Sequence, residues 1–457
     1  MWNQRAAAPA AAAPCAYAGD PASGDCPSRP PRTLGDGPLA GCGTMTSFQY
    51  KKGALHAESV PLGAIAEAVG TPTYVYSQAA LTGHFQVLDK AFGESPHLIC
   101  YSVKANSTLA VLGLFAGMGS GFDIVSGGEL ARVRQARGDM GKTVFAGVGK
   151  TQEEMARALA AGILLFNVES AEELEALDAV GRQAGRRAPF GLRVNPDVDA
   201  RTHRYISTGL KTSKFGVPFE EAVALYARAR KMKGVRALGV DCHIGSQLTR
   251  TAPVKAALSK VAGLYAELKA QGHPLEYLDI GGGLGITYAD ETPPSPQEYA
   301  RTVLEVVKGT GARLILEPGR SLVGNAGVLL TRVLYRKQAP AKTFVVVDAG
   351  MNDLIRPALY EAHHALLPVV KQRGKAVEVD VVGPVCESTD VLARARPLVL
   401  PRQGALFAVM SAGAYGMSMA STYNSRPRPA EVLVEGTAWR VVRERERDED
   451  LWRRERA

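Results

Sequence analysis

The 457-residue sequence contains no CxxC pair among its six cysteines. That absence leaves neither a zinc cage nor a thioredoxin-like motif, and a reduced cytosol is the simpler setting. No stretch approaches the ~20 uninterrupted apolar residues of a membrane span. The most apolar runs, such as Thr343–Asp348, are strand-sized. Nor is there a block of one charge sign, although 54 Lys+Arg against 45 Asp+Glu give a net +9. The densest basic run, Arg440–Arg456, interleaves seven Arg with six acids and sums to +1. It reads as a solvated helix or frayed terminus, not as a nucleic-acid surface. What the sequence does have is length for two to four domains and 46% hydrophobic residues to fill their cores. A disordered chain, a collagen and a small disulfide scaffold are excluded.

Residues 1–44 differ from all that follows, with 24 of 44 being Ala, Pro or Gly and with no Val, Ile or Phe. Such a segment cannot offset its ordering entropy by burial, so disorder is expected. A secretory leader does not fit, because Pro9 and Pro14 interrupt the Ala run, and the stretch ending at Cys15 is a poor lipoprotein signal. Translation starting at Met45 is an alternative that predicts an intact, active chain from that residue onward.

After Met45, short β-branched or aromatic runs predict strands at 97–103, 121–125, 143–147, 163–168, 189–194, 237–243, 275–280 and 312–317. Helical patterns separate them, among them Thr151–Ala161, Ala171–Ala184, Phe219–Met232 and Val254–Gln271. Eight strand-helix repeats in about 220 residues suit a (β/α)8 TIM barrel over residues 81–320 better than a doubly wound sheet. From about 328 the rhythm becomes strand after strand: Val328–Arg336, Thr343–Asp348, Val377–Val382, Ala405–Ser411 and Ala430–Val442. A C-terminal β-rich domain is expected over 321–443, completed by N-terminal strands from 45–80 and followed by a charged tail, 444–457.

A barrel places its active site at the C-terminal ends of its strands, and polar groups fill those positions here. Strand one ends in Tyr101-Ser102-Val103-Lys104-Ala105-Asn106, and strand two carries Asp123 before Ser126-Gly127-Gly128-Glu129. Strand five ends in Arg193-Val194-Asn195-Pro196 and strand six in His243-Ile244-Gly245-Ser246-Gln247. Strands seven and eight end in Gly281-Gly282-Gly283-Leu284-Gly285 and Glu317-Pro318-Gly319-Arg320. Singly, each has an ordinary explanation: a solvated lysine, a hydrogen-bonded core histidine, a glycine turn, a structural ion pair. Together they converge on one face. A walled-in lysine reacts with carbonyls, a Gly-rich loop cradles phosphate, and a carboxylate opposite a pyridine nitrogen keeps it protonated. Lysine, anion cradle, stacking histidine and carboxylate describe a site for pyridoxal phosphate.

Other motifs fail their own tests. Gly147-Val148-Gly149-Lys150-Thr151 lacks the first glycine of a phosphate-binding P-loop, since position 144 is Val144. Gly281–Gly285 is not GxGxxG, because Ile286 fills the last position. Glu361, His363 and His364 suggest a metal, yet no spaced third ligand accompanies them, and no metal is expected.

The segments YSVKAN, GFDIVSGGEL, NPDVDARTHRYISTGLKTSKFG, HIGSQ, GGGLG, EPGRSLVGNAG, DAGMNDLIRPALY, GPVCESTD and GAYGMSMASTYNSRPRP resemble the diaminopimelate decarboxylases, in order from about Met45 to Val434. That resemblance implies a pyridoxal 5'-phosphate enzyme of the alanine-racemase-like fold that releases CO2 from meso-2,6-diaminopimelate to give L-lysine. It implies that Lys104 holds the cofactor covalently, that His243 stacks on its ring, and that Glu317 pairs with the pyridine nitrogen. Gly281, Gly282, Gly283, Ser246, Gly319, Arg320 and Tyr415 would complete the cofactor site. Arg320, Arg356, Tyr360 and Tyr415 would hold the substrate end away from the reacting carbon, and Glu387 its amino group. Cys386 would donate the proton across a cytoplasmic homodimer, so that each site needs both chains. The rivals are a basic-amino-acid decarboxylase of the same fold (for ornithine, arginine or carboxynorspermidine) and a non-catalytic cofactor-binding or regulatory homologue. The first has no distal carboxylate to need Arg320 and Arg356. The second would lack Lys104 or Cys386, or the β-rich segment.

Overall fold

The structure, a computed structural model, describes residues 47–199 and 213–456. The tail expected over 1–44, and residues 200–212 of the long NPDVD segment, lie outside the described residues.

Eight parallel strands form the barrel: His97–Ser102, Gly121–Ile124, Thr143–Phe145, Leu165–Val168, Ala188–Asn195, Val235–Asp241, Tyr277–Asp279 and Arg313–Leu316. Each pairs with the next, and the eighth pairs back to the first at Leu314 and His97, which closes the sheet. The expected barrel is therefore present, with strand ends within a few residues of the sequence pattern. Local chemistry explains the helices between them. Helix Gln152–Ala161 starts at a Thr151/Glu154 capping box and stops at Gly162, whose φ of 74° suits glycine. Helix Ala171–Gln183 is capped by Ser170 and carries Glu172 and Glu173 in its first turn, where the helix dipole favours them. The pattern at 219–232 becomes two pieces, a single 3-10 turn at Phe219–Glu221 and the helix Ala222–Ala229.

Alternation along the strands fills the barrel in layers. Leu98, Cys100, Val144, Leu165, Leu238 and Ile315 form a small apolar cluster of their own. Nearer the C-terminal ends the inward positions turn polar: Ser102, Asp123, Asn167, Arg193, Asp241, Asp279 and Glu317, all buried. The outward faces, with Phe122, Phe145, Phe166 and Phe190, join the main core under the helices.

The second domain is a mixed sheet in the order Val391–Val399, Ala376–Val382, Thr343–Val347, Gly327–Gln338, Thr73–Ser77, Ala430–Glu435 and Ala438–Arg443. Leu406–Val409 adds to Gly327–Gln338 and pairs in turn with Leu366–Pro368. Three corrections follow. The single strand expected over 430–442 is a hairpin, turned at Gly436 with φ 59°. Of the N-terminal strands, only Thr73–Ser77 enters the large sheet; Phe48–Lys51, Ala54–Ala57 and Val60–Pro61 form a separate three-stranded sheet. That small sheet packs Phe48, Leu55 and Val60 onto Val75, Val328 and Val432. The Arg-rich end is strand first, in its opening residues, with Arg428 donating to Glu446 and Arg445 to Thr73, and only Asp448–Trp452 is the solvated helix expected.

The two domains meet at the loop that carries Lys104. Tyr415 N–H donates to Ala105 O (2.8 Å), and Asn106 Nδ2 donates to Gly413 O (3.2 Å). Beneath them the buried Glu431 carboxylate accepts from Tyr76 Oη (2.7 Å) and Thr108 Oγ1 (2.6 Å). Replacing it strands two buried hydroxyls. Glu431→Leu is expected to cost about 2–3 kcal/mol, read as a lowered urea midpoint, while Glu431→Gln keeps most of the stability.

Candidate active site

Lys104 lies in a single 3-10 turn, Val103–Ala105, directly after the first barrel strand. Its Nζ is 2.5 Å from Asp123 Oδ2, and its side chain is 39% exposed, open to a ligand from above. Asp123 Oδ2 also accepts from Ser102 Oγ at 2.7 Å, while its Oδ1 is buried without a partner. Burial works against the Lys104 ammonium, but Asp123 first, then Glu317 and Tyr415, outweigh it and hold the amine above its ordinary range.

Glu317, just past the eighth strand, is buried in a group of acids. Asp241, Asp279 and Glu317 have carboxylate oxygens within 4.8 Å of one another. Burial, then the charges of Asp123, Asp279 and Asp241, push Glu317 well above the usual carboxylate range. Asp279 is raised to about 6, chiefly by burial, against hydrogen bonds from Asn167 and the Gly281 N–H. Asn167 Nδ2 bridges the pair, donating to Asp279 Oδ2 (3.0 Å) and Glu317 Oε1 (3.3 Å). Arg193 supplies positive charge beside this group, with Glu169 at 3.2 Å and Asp241 at 4.0 Å.

His243 follows the sixth strand, and the Gly282 N–H donates to its Nδ1 (3.1 Å), which leaves the ring proton on Nε2. Burial, then Arg193 and Lys104, hold the imidazole well below its usual range, so the ring is neutral. The glycines of the seventh loop are sterically required. A Cβ on Gly282 would stand 2.1 Å from Glu317 O, and Gly281 adopts φ 64° with His243 Nδ1 2.7 Å from where its Cβ would be. Gly319 packs the eighth loop against Ala105 and Ser102, at 3.0 and 3.1 Å from its would-be Cβ.

Two arginines close the other side. Arg320 donates to Ser246 Oγ (2.9 Å from Nη2) and Tyr288 Oη (2.7 Å from Nη1), and lies 4.9 Å from the Tyr415 ring centre. Arg356 opens the short helix Arg356–Tyr360 of the β domain and sits over Tyr288 (5.0 Å) and Tyr360 (6.0 Å). Both arginines are buried, and neither has a carboxylate partner among the described residues. The structure thus gathers Lys104, His243, Ser246, Gly281–Gly283, Glu317, Gly319, Arg320, Arg356, Tyr360 and Tyr415. It does not bring Cys386 and Glu387 to them. Both are exposed, and their hydrogen bonds run to Asn424, Ser388 and Tyr423.

Sequence reasoning misses Asp241, Asp279, Asn167 and Tyr288, marks His364 only for a metal, and reads Asp123 and Arg193 only as polar strand ends. Two-residue alternation was the available signal for the barrel residues, since each follows an inward apolar or glycine position by two. Nothing local marked Tyr288.

A lysine amine, a buried glutamate, a neutral imidazole and a glycine cradle on one barrel face fit pyridoxal phosphate, and the comparisons agree. Residues 78–324 match the family model described as pyridoxal-dependent decarboxylase, pyridoxal binding domain. The class is therefore that of the pyridoxal-dependent decarboxylases. Diaminopimelate decarboxylase of Vibrio cholerae is 52% identical over 410 residues, 89% of this chain and 98% of that protein. The crystal structure of the Helicobacter pylori diaminopimelate decarboxylase complexed with L-lysine superposes with a TM-score of 0.83 at 42% identity, covering 86% of this chain and 98% of that one. The M. jannaschii diaminopimelate decarboxylase in co-complex with L-lysine gives 0.84 at 38%, covering 89% and 96%. The chain belongs to the diaminopimelate decarboxylase family.

The Lys104–Asp123 pair makes a pH prediction. An amine held above its ordinary range is an ammonium at neutral pH, so its reactivity rises only as pH climbs. Asp123→Asn removes the strongest raising interaction and leaves burial to dominate. The pH profile for acylation of Lys104 in the cofactor-free chain, followed by mass spectrometry, should move down by about one pH unit or more. An unmoved profile would contradict the assignment.

Proposed function

We propose that this chain decarboxylates meso-2,6-diaminopimelate to L-lysine and CO2, the last step of lysine biosynthesis, with pyridoxal 5'-phosphate held on Lys104. When bound, the cofactor supplies the electron sink for the pair released from the carbon–carboxylate bond. The chain's own groups do the rest. Glu317, buried among other acids, would face the pyridine nitrogen, whose positive charge would let it stand there as a carboxylate. Gly281–Gly283, Ser246, Gly319, Arg320 and Tyr415 would hold the phosphate end, and the neutral His243 ring would stack on the cofactor.

The observation that carries the substrate assignment is the pair Arg320 and Arg356, two buried guanidiniums without a carboxylate partner among the described residues. Uncompensated buried cations are costly, and an anionic ligand relieves them. A second carboxylate at the far end of the substrate does this; ornithine, which has none, would leave the charge unanswered. Tyr360 and Tyr415 border the same space.

Cys386 acts as the proton donor and Glu387 as the partner of the distal amine, both supplied by the second chain of a homodimer. Their exposure on the β domain, away from Lys104's contacts, supports that arrangement. A thiol in this role needs a reducing compartment, and the free thiols of Cys100, Cys242 and Cys386 support a cytoplasmic enzyme. No helix among the described residues is long and apolar enough to cross a membrane.

CO2 release from meso-diaminopimelate should exceed that from ornithine or arginine by roughly 10³-fold or more in kcat/KM. Comparable turnover of ornithine would defeat the substrate assignment. Lys104→Ala and Cys386→Ala should each be inactive alone. Mixed one to one and allowed to exchange subunits, they should recover about a quarter of native activity, because half the dimers then hold one complete site of two. Persistent inactivity of the mixture, with exchange verified by mass, would refute shared sites.

A further inference from the structure

In the sequence His364 stands with Glu361 and His363 as a metal suggestion without a spaced third ligand, and the structure gives it different work. The ring is fully buried. Its Nδ1 lies 2.8 Å from Met410 O, a carbonyl that only accepts, so Nδ1 carries the proton. Nε2 is then a bare acceptor, and it stands 3.3 Å from the Nε–H of Arg356. Geometry alone thus fixes both tautomer and charge. Burial and the neighbouring Arg356 agree with it, holding the imidazole down to about 3. The edge of Tyr288 packs against the same ring, centres 5.3 Å apart at 80°, while its face carries Arg356 and its hydroxyl accepts from Arg320.

We propose that His364 is a positioning residue for substrate recognition. By accepting the Arg356 Nε–H it aims the two terminal nitrogens of that guanidinium at the distal carboxylate. Those nitrogens have no hydrogen-bond partner among the described residues, so both donors remain for a two-point contact. The neutrality of the acceptor is essential to the design. An Asp or Glu in its place would orient Arg356 equally well but neutralise the charge that the substrate needs. The Met410 carbonyl prevents the ring from flipping into a donor toward Arg356, and Tyr288 prevents the guanidinium from swinging away. This inference rests on the reading that Arg356 binds the distal carboxylate.

Two substitutions separate the halves of the ring. His364→Asn keeps a donor near the Nδ1 position but withdraws the acceptor from Arg356. His364→Gln sets an amide oxygen near the Nε2 position and restores it. The expected result for H364N is a roughly tenfold rise in KM for meso-diaminopimelate and in the calorimetric Kd for L-lysine, with kcat within about threefold of native. H364Q should stay within about threefold in all three. Equal behaviour of the two variants, or a loss confined to kcat, would overturn the proposal. Should H364N lose its cooperative melt, H364M against H364Q makes the same comparison, since methionine is of similar length and offers no comparable acceptor. Arg356→Met tests the underlying reading: an unchanged KM there removes the distal-carboxylate role of Arg356 itself, whereas a raised KM with unaffected H364N defeats only the role of His364.

Discussion

Everything at the mouth of this barrel depends on the seam where the eighth strand meets the first. The Ser102 N–H donates to Pro318 O at 3.0 Å, and Ser102 Oγ lies 3.0 Å from Glu317 O and 2.7 Å from Asp123 Oδ2. One serine thereby fixes the backbone of Glu317 against the turn that presents Lys104, although the two are far apart in sequence. Glu317 and Lys104, the proposed pyridine partner and cofactor anchor, are set by the same closure that makes the sheet a barrel. The glycines at 282 and 319 follow from it, since any side chain there would push the loops off the seam.

Closure also concentrates charge. Inward positions at the strand ends carry four acids, Asp123, Asp241, Asp279 and Glu317, with Arg193 and Lys104 as the cations set against them. So many carboxyls in so little water cannot all ionise, which is why burial and mutual repulsion raise Asp241, Asp279 and Glu317 together. A protonated pyridine nitrogen would set a positive charge against this excess of carboxyls and so let Glu317 ionise opposite it. The arginine side of the pocket is arranged the other way. Its cations are oriented by neutral partners, Ser246, Tyr288 and His364, and keep their full charge for the ligand.

The sequence carried the barrel well, because strand and helix periods alternate cleanly and the loops after strands one, six, seven and eight hold recognisable polar runs. It carried the inner acids poorly: Asp241 and Asp279 sit within otherwise apolar strands, and only closure shows that they converge with Asp123 and Glu317. Tyr288 is beyond local reading, for its contacts with Arg356 and His364 exist only where the β domain docks on the barrel, and the sequence marks His364 only for a metal, not for its bond to Arg356. The hairpin at 430–443 was legible in principle at Glu435-Gly436-Thr437, but the apolar runs on either side merged into one. Cys386 and Glu387 came from family resemblance alone, and a single chain leaves both on the surface.

The clamp on the Lys104 turn has a consequence for the order of biosynthesis. Ala105 O is held by the Tyr415 N–H, and the strand Thr73–Ser77 waits for Ala430–Glu435 to pair along one edge. The barrel leaves the ribosome long before either arrives. During that interval the anchoring lysine has no backstop and the central strand of the second sheet has a bare edge. A message cut short before Tyr415 would therefore leave the lysine turn without the donor that holds Ala105 O, however complete the barrel.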